Sequence, residues 1–240
     1  MFAWTQRSPG LTLAVSDRFG GVSAGEFAEL NLGPHVGDAV DAVEANRVRL
    51  AQGLGLARPQ LAFMRQVHGR AVAEVTAENT LNEPIADALV TTASGIGLAV
   101  MVADCLPLLL ADEGAGVIAV AHVGRAGLVA GVVGATLSAM RDLGAKEIVA
   151  TVGPSICLSC YEVPPALHAE VTRMVPQAGG VSAAGTPGLD IAAGVTAQLR
   201  HDAKLIRRDP RCPRESPDLF SFRRDGSTGR FAGIIVRHSE

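Results

Sequence analysis

The sequence predicts an α+β fold, a single domain across residues 1–240 built of mixed β-sheets flanked by helices. Three observations carry this. Strand-like stretches come in consecutive groups as well as between helices, which favours mixed sheets over a doubly wound parallel sheet. A chain of 240 residues falls within the size that mixed sheets reach as one domain. Apolar residues make up 48% and charged residues 19%, with a net charge of −3, the balance of a compact chain rather than a disordered one.

Taken in order, residues 11–16 alternate as a strand, and Phe19-Gly20-Gly21 and Asn31-Leu32-Gly33-Pro34 read as turns. Val40, Val43, Leu50 and Leu54 fall at helical spacing; Asp38 and Asp41 suit the helix start, and Gly53, Gly55 and Pro59 suit its end. Residues 61–67 and 71–75 read as two strands meeting at His68-Gly69, which puts His68 at a turn. Further strands are expected at 86–92, 97–103, 106–111, 117–122 and 147–152, and a glycine-containing helix at 128–143. Helices follow at 166–175 and 191–205, the second capped by Asp190. Residues 177–188 read as a Gly-rich linker, 219–222 as a short strand, 223–230 as a polar turn and 231–237 as the last strand.

Composition excludes several classes. Of the 21 basic residues all but Lys146 and Lys204 are arginine, a skew expected of genome composition, and nothing suggests a polyanion-binding surface. No apolar stretch approaches the ~20 uninterrupted residues of a membrane span. The first ten residues, with Trp4, Gln6, Arg7 and Pro9, lack a signal-peptide core, so a cytoplasmic protein with reduced cysteines is expected. There is no P-loop, no G-x-G-x-x-G after a strand and no G-x-S-x-G.

The stretch that stands out is Ala103-Asp104-Cys105-Leu106-Pro107, a carboxylate and a thiol between two apolar runs. An unsatisfied buried polar group costs roughly 2–7 kcal/mol, so a compensating partner is expected. His122 ends a later apolar run and His68 lies well before. Convergence of His68, Cys105 and His122 on one metal would suit zinc, with a fourth position open for water or substrate, and Asp104 could hydrogen-bond a ligating histidine. The same residues allow a Cys105 nucleophile activated by His122 or His68. They also allow a buried thiol with ordinary strand-end histidines, the simplest account on pattern alone.

Other residues offer less. Cys157-Leu158-Ser159-Cys160 has redox-motif spacing but makes half a zinc site at most, and structural cysteines are expected there. Arg223-Arg224-Asp225-Gly226 is a solvated turn by default, though guanidinium groups also suit phosphate oxygens. His35 fits either a pocket edge or the surface; His168, His201 and His238 carry no signal.

An ordered set of motifs nevertheless runs through most of the chain: Asn31-Leu32-Gly33 with His35-Val36-Gly37-Asp38, Gln66-Val67-His68-Gly69, Asp87-Ala88-Leu89-Val90-Thr91, Ala103-Asp104-Cys105-Leu106-Pro107, Ala121-His122-Val123-Gly124, Gly153-Pro154 with Tyr161-Glu162-Val163, and Phe220-Ser221-Phe222-Arg223-Arg224-Asp225. Together they resemble the laccase-domain family of purine nucleoside phosphorylases, also known as multicopper polyphenol oxidases. The resemblance implies a fold similar to that of the cytotoxic necrotizing factor and a zinc held by His68, Cys105 and His122. It implies phosphorolysis of adenosine, inosine and methylthioadenosine, with adenosine deamination as a companion activity. Cys105, His122 and Asp104 are then the catalytic candidates, Asp104 for proton transfer. Gln66, His35, Arg65, Arg125 and Arg223 are the substrate candidates, the arginines for phosphate. Partners would be a purine nucleoside and phosphate, with no nucleic acid or membrane, in a monomer or small homo-oligomer.

The chain departs from the family pattern after His122. The family usually reads Ala-Gly-Trp-Arg-Gly, whereas here Val123-Gly124-Arg125-Ala126-Gly127 places the arginine one position early, roughly 100° around if that segment is helical. Phe222 replaces a usual tyrosine. Two alternatives therefore stand: a cysteine hydrolase or amidase using Cys105 and His122, perhaps in peptidoglycan editing, and a non-catalytic nucleoside-binding protein. Copper is the lesser metal candidate, because six scattered histidines without an H-x-H do not make a multicopper centre, and laccase activity is not expected.

Overall fold

A computed structural model describes residues 1–238. In chain order the elements are β1 (Phe2–Ser8), β2 (Leu11–Ser16), α1 (Val40–Gly53), β3 (Leu61–Ala62), β4 (Val72–Glu74), β5 (Ala88–Thr91) and β6 (Ile96–Val102). Then come β7 (Leu106–Asp112), β8 (Val117–Val123), α2 (Arg125–Ala130), α3 (Val132–Asp142), β9 (Val149–Val152), α4 (Pro165–Met174), β10 (Gly179–Val181) and β11 (Pro187–Leu189). The chain ends with α5 (Ile191–Leu199), β12 (Leu205–Arg208), α6 (Phe222–Asp225) and β13 (Phe231–Arg237).

The strands form a five-stranded sheet, β1-β2-β13-β6-β3, a six-stranded sheet, β12-β9-β7-β8-β5-β4, and the β10-β11 hairpin. Both large sheets are mixed: β3 pairs with β6 in parallel, and so do β4 with β5 and β12 with β9. The expected α+β class of mixed sheets flanked by helices is what the chain adopts.

Four layers follow from the side-chain alternation of the central strands. On β6, Leu98 and Val100 face Leu109, Val120 and Ile235 between the sheets, while Ala99 and Met101 pack toward Leu50 and Leu54 of α1. On β7 and β8, Leu108, Leu110, Ala119 and Ala121 face the other way, onto Leu137 and Met140 of α3 and Val195 of α5. Strands covered on both faces must be apolar at every position, which explains the uninterrupted runs. Among the described residues no helix is long and apolar enough to cross a membrane.

Several sequence expectations are corrected. Residues 61–75 are not a hairpin: β3 and β4 lie in different sheets, and the segment between them crosses from one to the other with its amides held by a side chain, Asp87, rather than by a strand ladder. The 128–143 helix starts earlier, at Arg125, and breaks at Gly131, whose φ of 86° is left-handed. The 191–205 helix ends at Leu199, and residues from Leu205 pair instead as β12 beside β9, tertiary pairing overriding local pattern. Residues 177–188 hold the β10-β11 hairpin, and 219–222 form no strand, because Ser221 caps α6 by accepting from the Arg224 amide. The first ten residues supply β1, an edge strand.

The sheets approach closely at Gly233 of β13, where an added Cβ would lie 2.7 Å from Pro107 Cβ and 3.2 Å from Leu109 Cδ2. Gly134, on the exposed side of α3, has nothing within 4 Å of the same position. Gly233→Ala should therefore destabilise the fold by about 1–3 kcal/mol through overpacking. Gly134→Ala should stabilise it by about 0.5–1 kcal/mol through helix propensity. Denaturant unfolding of the two variants measures both signs.

Candidate functional site

The carboxylate and thiol that interrupt the apolar runs mark where the chain leaves one sheet for the other. β6 ends at Val102 in the five-stranded sheet and β7 begins at Leu106 in the six-stranded one, so Ala103-Asp104-Cys105 is the crossing. The turn is tight enough to put Asp104 at a φ of 90°. Asp104 does not reach a histidine: its carboxylate accepts from Ser221 Oγ at 2.7 Å and from the Arg223 amide at 2.6 Å, tying the crossing to the start of α6.

The carboxylate that does hold a histidine is Asp87, fully buried just before β5. It accepts from His122 Nδ1 at 2.9 Å and from the amides of Val67, His68 and Gly69 at 3.3, 2.8 and 2.6 Å. One side chain thus fixes the His122 tautomer and shapes the loop carrying His68, whose φ of 59° confirms the expected turn. With Nδ1 engaged, His122 presents Nε2 to the centre.

His68, Cys105 and His122 converge, their ligand atoms all within 4.8 Å of one another. Cys105 Sγ lies 3.8 Å from His68 Nε2, against about 3.5 Å between thiolate and imidazole ligands of a tetrahedral zinc. The rings of His68 and His122 meet edge to face with centroids 4.6 Å apart. Gly124 keeps the space clear, since a Cβ there would lie 2.9 Å from His68 and 3.0 Å from Cys105 Sγ. Two imidazoles and a thiolate, with one imidazole backed by a carboxylate, are a donor set that can hold a metal.

Electrostatics favour the ligating form of the thiol. Burial alone would push the Cys105 thiol up, but His122 and His68 bring it down to about 6. Burial likewise disfavours charge on His122, yet the Cys105 thiolate and Asp87 raise it to about 9. Without a metal, each of the two groups thus favours the charged form of the other, a thiolate beside an imidazolium.

A pocket of about 430 Å³ opens over this centre. Met101, Ile156, Tyr161, Ile191 and Phe222 supply apolar walls, and His35, Arg125, Arg223 and Arg230 supply cationic or polar edges. Arg223 donates to the Glu162 carbonyl at 2.9 Å and lies over the Tyr161 ring. Arg125 sits 3.9 Å from Glu170. Burial lowers the pKa of His35, with Arg230 and Arg47 adding to the effect, which favours its neutral ring. A larger hollow of about 660 Å³, bounded by Gln6, Leu13, Asp112, Lys146 and Arg207, brings together no metal-ligating cluster among the described residues.

The expected residues do not all arrive. Arg65 is exposed and outside the pocket, its backbone bridging to residues 84–86. Gln66 lines the pocket, but its amide donates to the Met101 carbonyl at 2.7 Å and accepts from the Met101 amide at 2.9 Å, so it fastens the His68 loop to β6. Two residues escaped sequence reasoning. Asp87 was visible only as part of a motif, and Arg230 looked like the end of a polar turn, although it directly precedes the last strand. Arg230 is half-buried with Nη1 donating to the Thr228 and Gly229 carbonyls.

Two measurements test this geometry. In chelator-treated protein, alkylation of Cys105 by iodoacetamide should rise with pH to a plateau with its midpoint near 6, because only the thiolate reacts and it is protonated below that value. A midpoint near the ordinary 9 would refute the ion pair. Asp87→Asn should weaken metal binding by about 10–100-fold, read by chelator competition.

Residues 12–238 match the family described as multi-copper polyphenol oxidoreductase laccase. A purine nucleoside phosphorylase of Streptomyces coelicolor is 49% identical over 94% of this chain and 95% of its own. One from Mycobacterium tuberculosis is 46% identical over 92% and 90%. Among solved structures, a Neisseria meningitidis protein superposes with a TM-score of 0.89 at 33% identity, covering 99% of both chains. YlmD from Geobacillus stearothermophilus gives 0.89 at 31%, covering 96% and 93%. With the matched family running over nearly the whole length and relatives this close, the chain belongs to the laccase-domain family whose members here bear the name purine nucleoside phosphorylase.

Proposed function

We propose that the protein is a zinc-dependent purine nucleoside phosphorylase acting on adenosine, inosine and methylthioadenosine, with adenosine deamination as a companion activity. The observation that carries the proposal is the juxtaposition, across one pocket, of a His68-Cys105-His122 donor set and a cationic edge of Arg125, Arg223 and Arg230. The names of the relatives support the substrate class. The volume of about 430 Å³ suits a nucleoside between apolar walls.

In phosphorolysis a phosphate oxygen bonds to the ribose C1′, the C1′–N9 bond breaks, and the departing purine takes a proton. Arg230 and Arg223 hold the phosphate, and the short bonds of Asp104 to Ser221 and the Arg223 amide keep that edge in place. Among the described residues Asp104 is the one carboxyl lining the pocket, and burial raises its pKa against the hydrogen bonds that oppose the shift, which suits it to carry the proton to the purine. Tyr161 and Phe222 supply ring surfaces for the base. Zinc, when bound, supplies Lewis-acid polarisation of an oxygen, the chemistry that deamination at C6 needs. We assign zinc rather than copper and expect no laccase activity, since among the described residues no further histidines cluster at this centre. A cytoplasmic location belongs to the same proposal.

One observation favours a second reading. Asp87, His122 and Cys105 form a carboxylate-imidazole-thiol line with the thiol brought down to about 6, the activation that a cysteine hydrolase or amidase uses. Metal at the pocket centre separates the two: one equivalent of zinc lost in Cys105→Ala relative to wild type belongs to the phosphorylase, whereas an unchanged zinc content together with Cys105 trapped by an alkylating substrate analogue belongs to the hydrolase.

The decisive assay is adenine release from adenosine with and without phosphate. Zinc-loaded protein should require phosphate and lose activity on chelation. Arg230→Ala should raise the KM for phosphate by at least about tenfold, the loss of one charge-assisted hydrogen bond, while leaving the KM for adenosine nearly unchanged. Nucleoside bound but never cleaved would make the protein a binding module, and no phosphate dependence would end the phosphorylase assignment.

A further inference from the structure

Cys157, Cys160 and Cys212 lie outside the pocket and none of the chemistry above uses them. They are brought together with Glu215, the four ligand atoms all within 4.8 Å of one another. All three cysteines are free thiols. Cys160 Sγ is 3.5 Å and Cys157 Sγ 3.9 Å from the Glu215 carboxylate, and the Cys157 amide donates to Cys212 Sγ at 3.4 Å.

The two contributing segments have the same construction. Cys157-Leu158-Ser159-Cys160 closes on itself through the Cys160 amide donating to the Cys157 carbonyl at 3.0 Å. Cys212-Pro213-Arg214-Glu215 closes in the same way, with the Glu215 amide donating to the Cys212 carbonyl at 3.0 Å. Each is a tight turn presenting donors at its first and fourth positions. The pair that looked like half a zinc site is completed by a second turn some fifty residues on, through a C-x-x-E that no cysteine-based pattern would find.

We propose that these four residues bind a structural zinc, separate from the pocket centre. Three thiolates are soft donors that exclude magnesium and calcium, and four protein ligands close a tetrahedral shell, the mark of a structural rather than a catalytic site. Sulfur ligands of such a zinc stand about 3.8 Å apart, in keeping with the observed spread. A divalent cation also compensates a carboxylate set against three thiols, two of them, Cys160 and Cys212, buried with Ile156.

The position gives the metal a consequence. Ile156 and Tyr161, which flank the first turn, form one wall of the pocket. The second turn opens a loop whose carbonyls, at Pro213, Ser216 and Leu219, accept from the Arg224 guanidinium of α6, next to Arg223. Clasping the two turns therefore fixes the Tyr161 wall and the Arg223 edge together.

The test is metal content and thiol protection in the full chain, independent of any activity. Cys105→Ala protein prepared without chelators should retain one zinc per chain by elemental analysis, with Cys157, Cys160 and Cys212 shielded from maleimide. Chelation should release the zinc, make all three thiols reactive and lower the Tm. Adding Cys157→Ser and Cys212→Ser should leave no zinc. If Cys105→Ala fails to fold, wild-type protein answers the same question by peptide-mapped alkylation: two zinc per chain with the three thiols shielded supports the site. A zinc-free Cys105→Ala protein, freely reactive thiols at 157, 160 and 212 before chelation, or a mass two hydrogens light from a disulfide among them overturns it, whatever the fate of the phosphorylase proposal.

Discussion

The pocket depends on one buried carboxylate. Asp87 is shut off from solvent at the join between β5 and the loop that carries His68, and it accepts bonds from three successive amides and one imidazole. Each would be costly to bury unpaired, by roughly 1–3 kcal/mol for a neutral group and more for a charge. The backbone adds to this bond set, because the His122 amide donates to the Asp87 carbonyl at 2.7 Å and the Asp87 amide to that of Ala71 at 2.9 Å. Two of the three side chains of the candidate metal centre are thereby oriented from a single point, while Cys105 is placed by the crossing between sheets.

That crossing explains why polar residues stand in the middle of an apolar sequence. β6 and β7 are adjacent in the chain but belong to facing sheets, so the link between them must run across the open end of the sandwich. Side chains there have no opposing sheet to pack against. Asp104 turns one way, to Ser221 and Arg223, and Cys105 turns the other, to the histidines. Closely packed layers below, with Gly233 against Pro107, let the ends above diverge into a pocket.

Asp104-Cys105 stood out in the sequence because it interrupts apolar runs, but the joining of His68, Cys105 and His122 rested on the ordered motif set, since pattern alone allowed ordinary strand-end histidines; the strands around them were legible because burial on both faces leaves no polar position to blur them. Asp87 was not, since its role consists of hydrogen bonds to residues 18 to 35 positions away that no local period records. Gln66 was legible as a site residue but not in its function, which is to imitate a strand partner for Met101. The fold was misread where long-range contacts or a single φ overrule local preference. Gly131 divides one apparent helix, and residues after Leu199 take their conformation from β9 rather than from their own helical spacing.

The displaced arginine after His122 is less of an anomaly in three dimensions than in sequence. The offset of roughly 100° holds, because α2 begins at Arg125 and includes Ala126, while Gly124 before them is extended, with ψ of 175°. The direction of the Arg125 side chain is set by the turn at Gly124, and that turn brings it to the pocket edge. Arg125 lines the pocket, and Arg223 and Arg230 flank the same opening from α6 and the approach to β13. Charge at the pocket edge is thus a property of three separate chain segments converging, which permits the single arginine to shift without emptying the site of positive charge.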